Sequence, residues 1–227
     1  MDNVFFQSYF QSDAFGKSIF WILFFFSIVC WTIFIYKFVV FKKIYRFEKD
    51  FNQLLTQHKK EVLSFEKTST LFNPFFAVYL KIKQKTLNHL NKNKTLNQTS
   101  NTSLSFEDLE SITITADTAI QEQIQKLEKH SFLLSTIATL SPFMGLLGTV
   151  WGILISFSEL QHATSLRETV LGGLSTALST TVVGLIIAIP AIIFYNTLKN
   201  SIADLQMKLQ STALNVRDLI ELQYKHS

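Results

Sequence analysis

Thr149 and a cluster of five hydroxyl residues, Ser175, Thr176, Ser179, Thr180 and Thr181, lie in two stretches of chain, 131–158 and 169–198, that contain no charged residue. A threonine or serine hydroxyl donates one hydrogen bond and accepts two, so such residues can stabilise an acid in either protonation state. The acid itself is missing. With no Asp, Glu, Lys, Arg or His in either stretch, this chain alone has no group there that can take up and release a proton, and if the pair serves proton movement a partner must bring the carboxylate. The plain alternative for a threonine in an apolar helix is a bond back to the carbonyl one turn earlier. Five hydroxyls within two turns are harder to account for that way, because only some of them can face their own backbone.

The elements that must position these hydroxyls follow from length. At 1.5 Å per residue each run exceeds the ~30 Å hydrocarbon core of a bilayer, and only about ten residues separate them, which predicts a tight antiparallel pair of membrane-spanning helices. A third uncharged run, 18–36, is followed by Lys37, Lys42, Lys43 and Arg46. Asp2 and Asp13 precede it, and Phe, Trp and Tyr fill it, so it reads as a retained helix and not a cleaved signal. With 48% hydrophobic residues and 22 Phe, the expected fold class is an all-α membrane protein of three transmembrane helices with long cytoplasmic helical extensions.

Basic residues set the expected orientation, because Lys and Arg near span ends stay on the cytoplasmic side. Residues 41–130 hold fourteen Lys or Arg and the tail after Leu198 four more, whereas the short loop 159–168 has only Arg167. The chain then divides into a periplasmic segment 1–17, helix 18–40, a cytoplasmic helical region 41–130, helix 131–158, a periplasmic loop 159–168, helix 169–198 and a cytoplasmic helix 199–227. The net charge of +4 is mostly topology, with no nucleic-acid partner implied. Three glycosylation-type triplets at Asn93, Asn97 and Asn101 would favour the opposite orientation if used; in an Asn/Thr-rich stretch they read as chance matches.

In the cytoplasmic parts, Ile44, Phe47, Phe51, Leu54 and Leu55 recur at helical spacing. Phe75 to Lys85 predicts a short helix, and 88–105, almost wholly Asn, Thr, Ser and Lys, a flexible loop. From Phe106, with Glu107 and Asp108 at its start, Leu109, Ile112, Ala116, Ala119, Gln123, Ile124 and Leu127 predict an amphipathic helix running straight into the second span. Leu198, Ile202, Leu205, Leu209, Ala213, Val216 and Ile220 form one apolar stripe after the third span.

Within the second span, Ala138, Pro142, Gly145, Thr149, Gly152 and Ser156 recur by threes and fours, placing small residues on one face where helix backbones can approach. Cys30 is the single cysteine and the five histidines are scattered, so no metal site, cofactor site or catalytic constellation is expected, and the chain is not read as an enzyme.

The run Ser141-Pro142-Phe143-Met144-Gly145-Leu146-Leu147-Gly148-Thr149-Val150-Trp151-Gly152, then Thr180-Thr181-Val182-Val183-Gly184-Leu185 and Ala188-Ile189-Pro190-Ala191, resembles the TolQ/ExbB/MotA proton-channel family. The first span, from Ser27 to Trp31 with Lys37 and Arg46 beyond, is similar to the TolQ branch. The resemblance implies a bacterial inner-membrane homopentamer around single helices of a TolR/ExbD-like partner, whose Asp carries the proton, and a TolA/TonB-like protein energised by it. By position it implies that Thr149 and Thr181 line the proton's path, with Thr176 and Thr180 beside them, and that Gly145, Gly148, Gly152, Gly184, Pro142 and Pro190 shape the helix packing. Many members carry a Glu where this chain has Thr176, a departure that agrees with the missing charge. An ExbB-like role in nutrient uptake is the alternative within the family, and a passive membrane scaffold the alternative outside it.

Overall fold

The computed structural model describes residues 9–10, 12–57, 63, 73–97, 103–160 and 166–224, with backbone only at 96–97, 159–160, 166–173 and 176. Among these residues there are five long helices and no strand: α1 Ala14–Gln57, α2 Pro74–Asn97, α3 Phe106–Glu128, α4 Ser131–Leu160 and α5 Leu166–Tyr224. Three are long and apolar enough to cross a membrane, with spans in Ala14–Gln57, Ser131–Ser158 and Ala177–Tyr224. The chain forms two compact units, Met1–Lys37 with His130–Leu198, and Phe38–Lys129 with Lys199–Ser227.

The first unit holds the apolar parts of α1, α4 and α5. Its buried apolar side chains include Ile19, Leu23 and Cys30 on α1, Leu134 and Ile137 on α4, and Ala177, Ile187, Ala188, Ala191 and Leu198 on α5. Phe34 stacks on Phe194 at 3.7 Å between ring centres, and Trp31 meets the same ring edge-on at 5.1 Å, which joins α1 to α5. Most other large apolar side chains point outward, among them Trp21, Phe24, Val150, Leu154, Ile186 and Ile193, as a surface met by lipid or further helices requires.

The second unit is a conventional amphipathic bundle. Every member of the stripe from Ile202 to Ile220 is buried, as is every residue of the α3 stripe, with Ile120 added. Phe41, Ile44, Phe51 and Leu55 from α1 and Phe75, Val78, Tyr79 and Ile82 from α2 complete the core. Lys208 bridges Glu48 at 3.0 Å and Asp204 at 3.3 Å and lies over the Tyr45 ring, whose hydroxyl donates to Asp204. These groups are partly exposed, so the cluster fixes register more than it adds stability.

Two expectations are corrected here. Of the loop expected at 88–105, residues 88–97 are helical, because tertiary partners outweigh their polar composition, and 98–102 lie outside the described residues. Leu90 and Thr86 are buried, the His89 Nδ1 lies 2.7 Å from Asp108, and Asn93 donates to Asp108 and to the Ser103 carbonyl. These contacts join the end of α2 to the start of α3, an antiparallel hairpin. Secondly, α3 does not run straight into the second span. It ends at Glu128, and His130, at φ 70°, turns the chain before α4 begins at Ser131.

The start of α3 is a reciprocal capping box: the Ser105 hydroxyl accepts from the Asp108 N–H, and the Asp108 carboxylate accepts from the Ser105 N–H. Burial pushes the Asp108 carboxyl up, but hydrogen bonds from Asn93 and Ser105 and the nearby His89 outweigh it and hold it below its ordinary value of 3.8. A carboxyl depressed in the folded state stabilises above its unfolded value and loses that contribution as pH falls through the folded one. Asp108→Asn is therefore expected to cost about 1 kcal/mol at neutral pH. The gap between variant and parent should close on acidification below the carboxylate range, as followed by thermal unfolding in detergent.

Candidate functional site

Where α4 and α5 cross, the two backbones touch through glycine. A methyl at Gly145 would meet the Thr181 Cα at 2.8 Å and the Thr180 carbonyl at 3.0 Å. At Gly184 it would meet the Ser141 carbonyl at 2.6 Å and Gly145 Cα at 3.2 Å. At Gly148 it would strike the Thr180 side chain, with Cβ at 2.7 Å. The pairings 141 with 184, 145 with 181 and 148 with 180 run in opposite directions, so the helices are antiparallel. In lipid, burial of apolar surface gives no drive between helices, and such close backbone contact supplies the association instead.

That contact places the hydroxyls. Thr181 Oγ1 leaves its own helix and donates to the Gly145 carbonyl at 3.0 Å. Thr180 Oγ1 donates to the Ala177 carbonyl at 2.7 Å and more weakly to Gly145 at 3.3 Å. Thr149 bonds back along α4 to the Leu146 carbonyl at 2.6 Å, and Ser179 back to Ser175 at 2.9 Å. Thr180 and Ser179 are buried, while Thr181 and Thr149 are half-buried. Each bonded threonine has spent its one donor and keeps acceptor lone pairs. Thr181 and Thr149 therefore keep acceptor capacity, and either would have to swing away from its carbonyl before it could donate elsewhere.

The expected site residues divide accordingly. Gly145, Gly148, Gly184, Thr180 and Thr181 come together at the crossing, and Thr149 stands one turn above Gly145 on α4. Thr176 lies in α5, but its side chain is outside the described residues. Pro142, half-buried, follows the Ser141 contact directly; Pro190 lies within α5, about 9 Å along the helix from Gly184. Gly152 is half-buried, and its carbonyl accepts the Ser156 hydroxyl at 2.8 Å. Two contributors stand in the family-like run but were given no role from sequence. Ser141 is fully buried, gives its hydroxyl to Ile137 and its carbonyl to the Gly184 contact. Trp151 donates its indole N–H to Asp13 at 3.0 Å, a partner that an indole near the membrane surface could have signalled.

Among the described residues, no three His, Cys, Asp or Glu side chains are grouped so as to hold a metal ion. The arrangement can do one kind of chemistry unaided, which is to offer hydroxyl oxygens inside a charge-free wall.

Known proteins share this part of the chain. Residues 81–211 match the profile of the MotA/TolQ/ExbB proton channel family. The Tol-Pal system protein TolQ of Haemophilus influenzae is 42% identical over 81 residues, 35% of this chain and 36% of that protein. TolQ of Pseudomonas aeruginosa is 47% identical over 81 residues, 34% of each chain. The biopolymer transport protein ExbB of Salmonella typhimurium is 42% identical over 84 residues, 37% of this chain and 34% of that protein. The chain thus spans about a third of the length of these curated relatives. With three helices able to cross a membrane and a family match over more than half its length, the chain belongs to the MotA/TolQ/ExbB proton channel family.

Proposed function

We propose that this chain is a TolQ-like subunit of a proton-motive-force-driven complex of the bacterial inner membrane, serving outer-membrane integrity and cell division. It is multi-pass, with its N-terminus periplasmic and its C-terminus cytoplasmic. Copies assemble, as a pentamer, around the helices of a TolR-like partner whose intramembrane Asp carries the proton, and a TolA-like protein receives the resulting motion. The chain forms the channel wall and is not itself an enzyme.

The observation that carries this reading is Thr181, half-buried, donating across the glycine crossing to Gly145 between two stretches, 131–158 and 169–198, that hold no charged residue. A partner carboxyl buried there has a raised pKa, and the hydroxyl acceptors stabilise its protonated form. Loss of the proton then favours a new set of bonds, because the carboxylate needs donors that only rotated threonines supply. An ExbB-like role in uptake is the second reading, supported by the 42% identity to ExbB over a comparable third of the chain.

Purification of the full chain from its native membrane tests the assignment. A single-span protein with an acid in its apolar helix is the expected companion; recovery of the chain with no such companion contradicts the reading. Deletion separates the branches, since loss of outer-membrane integrity favours the TolQ-like role and loss of iron uptake the ExbB-like one.

A further inference from the structure

Asp13, one residue before α1, accepts three hydrogen bonds: from the Trp151 indole at 3.0 Å, the Gly16 N–H at 2.9 Å and the Phe15 N–H at 3.3 Å. The Phe15 ring lies on Trp151 with centres 4.4 Å apart. Nearby, the Trp21 indole donates to the Tyr9 hydroxyl at 3.2 Å, and Tyr9 packs edge-on against Phe20. Burial raises the Asp13 carboxyl, but the bonds from Trp151, Gly16 and Phe15 outweigh it and hold the group below its ordinary value of 3.8. Asp13 is therefore an anion keyed to α4 within a cluster of aromatic rings with polar tips, the composition of a membrane–water interface.

The level of this clasp does not match the charge-free run. Trp151 stands nine residues before Leu160, the last of α4, so α1 begins about 14 Å short of the outer end of α4. Were the hydrocarbon edge at residue 158, Asp13 would lie about 10 Å inside it, at a cost of roughly 2.5–3.5 kcal/mol or more at full depth. Placed at the clasp, the edge fits both helices. Asp13 to Lys37 is about 36 Å along α1, and Trp151 to His130 about 32 Å along α4, against a core of ~30 Å.

We propose that the Asp13–Trp151 clasp marks the outer edge of the hydrocarbon layer, that Asp13 positions α1 against α4 at that level, and that the Thr181–Gly145 site lies in the outer third of the bilayer. Gly145 is about 9 Å below the clasp and about 22 Å above His130. Resting on the channel-wall reading, the consequence is unequal access: a proton reaches the hydroxyls by a short outer path and leaves by a long inner one. Most of the membrane potential then falls between the site and the inner face.

The test uses the full chain with Trp21→Phe and Trp31→Phe, which leaves Trp151 as its single tryptophan, reconstituted in phosphatidylcholine vesicles. Nitroxide at acyl carbon 5 is expected to quench Trp151 at least about twofold more than nitroxide at carbon 12; equal or stronger quenching by the deeper label overturns the placement. In a Cys30→Ser background, Ser18→Cys on α1 should resist an impermeant maleimide, become reactive with Asp13→Ala, and stay protected with Asp13→Asn, which keeps an oxygen for the indole; unchanged protection in Asp13→Ala overturns the positioning role. Independently, Leu154→Cys in a Cys30→Ser background should react with an impermeant maleimide while Leu140→Cys does not, and an unreactive Leu154→Cys contradicts the placement. None of these readouts involves ion flux, so the depth and the channel function fail separately.

Discussion

Thr181→Val is expected to reduce energised ion movement at least tenfold while the complex still assembles. Valine keeps the shape and removes the hydroxyl that reaches Gly145 at 3.0 Å. The structural loss is one neutral hydrogen bond, about 1 kcal/mol, which a membrane bundle tolerates. The functional loss is larger, because a hydrogen bond to a charged or ionising group is worth about 1.5–3 kcal/mol and each 1.36 kcal/mol is a factor of ten in rate. Thr180→Val is the informative comparison. Its hydroxyl is buried and bonds more closely to its own helix, so its removal should diminish flux less. Dye-based flux measured beside complex yield checks both; normal flux in Thr181→Val would count heavily against a role for this hydroxyl.

Gly145→Leu is expected to prevent assembly. Even an alanine methyl would stand 2.8 Å from the Thr181 Cα, a backbone atom that no rotamer change moves aside. Overpacking of that kind costs about 1–3 kcal/mol for the methyl alone, and leucine adds three further carbons at the same crossing. Gly184→Ala should be similarly harmful, since its methyl meets the Ser141 carbonyl at 2.6 Å. Gly152→Ala, at a half-buried position, should be tolerated. The yield of intact complex in mild detergent distinguishes these outcomes, and a parental yield from Gly145→Leu would remove the close-packing account.

Much of the architecture was legible because the forces that set it repeat along the chain. The apolar stripe from Leu198 to Ile220 and the α3 stripe from Leu109 to Leu127 read directly from spacing, and both are buried as expected. Uncharged runs found the three candidate spans seen among the described residues. Local composition failed where distant partners decide. Residues 88–97 look like loop, yet the bonds of His89 and Asn93 to Asp108 make them helix. The turn at His130 has no Gly or Pro to announce it.

The site was half legible. The small-residue face read from spacing, Ala138, Pro142, Gly145, Thr149, Gly152 and Ser156, shares only Gly145 with the crossing, where α4 presents Ser141, Gly145 and Gly148 to α5. Which hydroxyl bonds across the crossing, and which merely along its own helix, depends on the pairing of α4 with α5, so Thr149 and Thr181 could not be told apart in sequence. The Asp13–Trp151 bond joins residues 138 positions apart, a register that no local pattern encodes.

The most direct measurement is proton flux into dye-loaded vesicles carrying the chain alone, the chain with its acidic single-span companion, or the chain with that companion's intramembrane Asp changed to Asn. A wall of hydroxyls without an acid predicts flux only in the second preparation. Comparable flux from the chain alone, or from the Asn preparation, would contradict it.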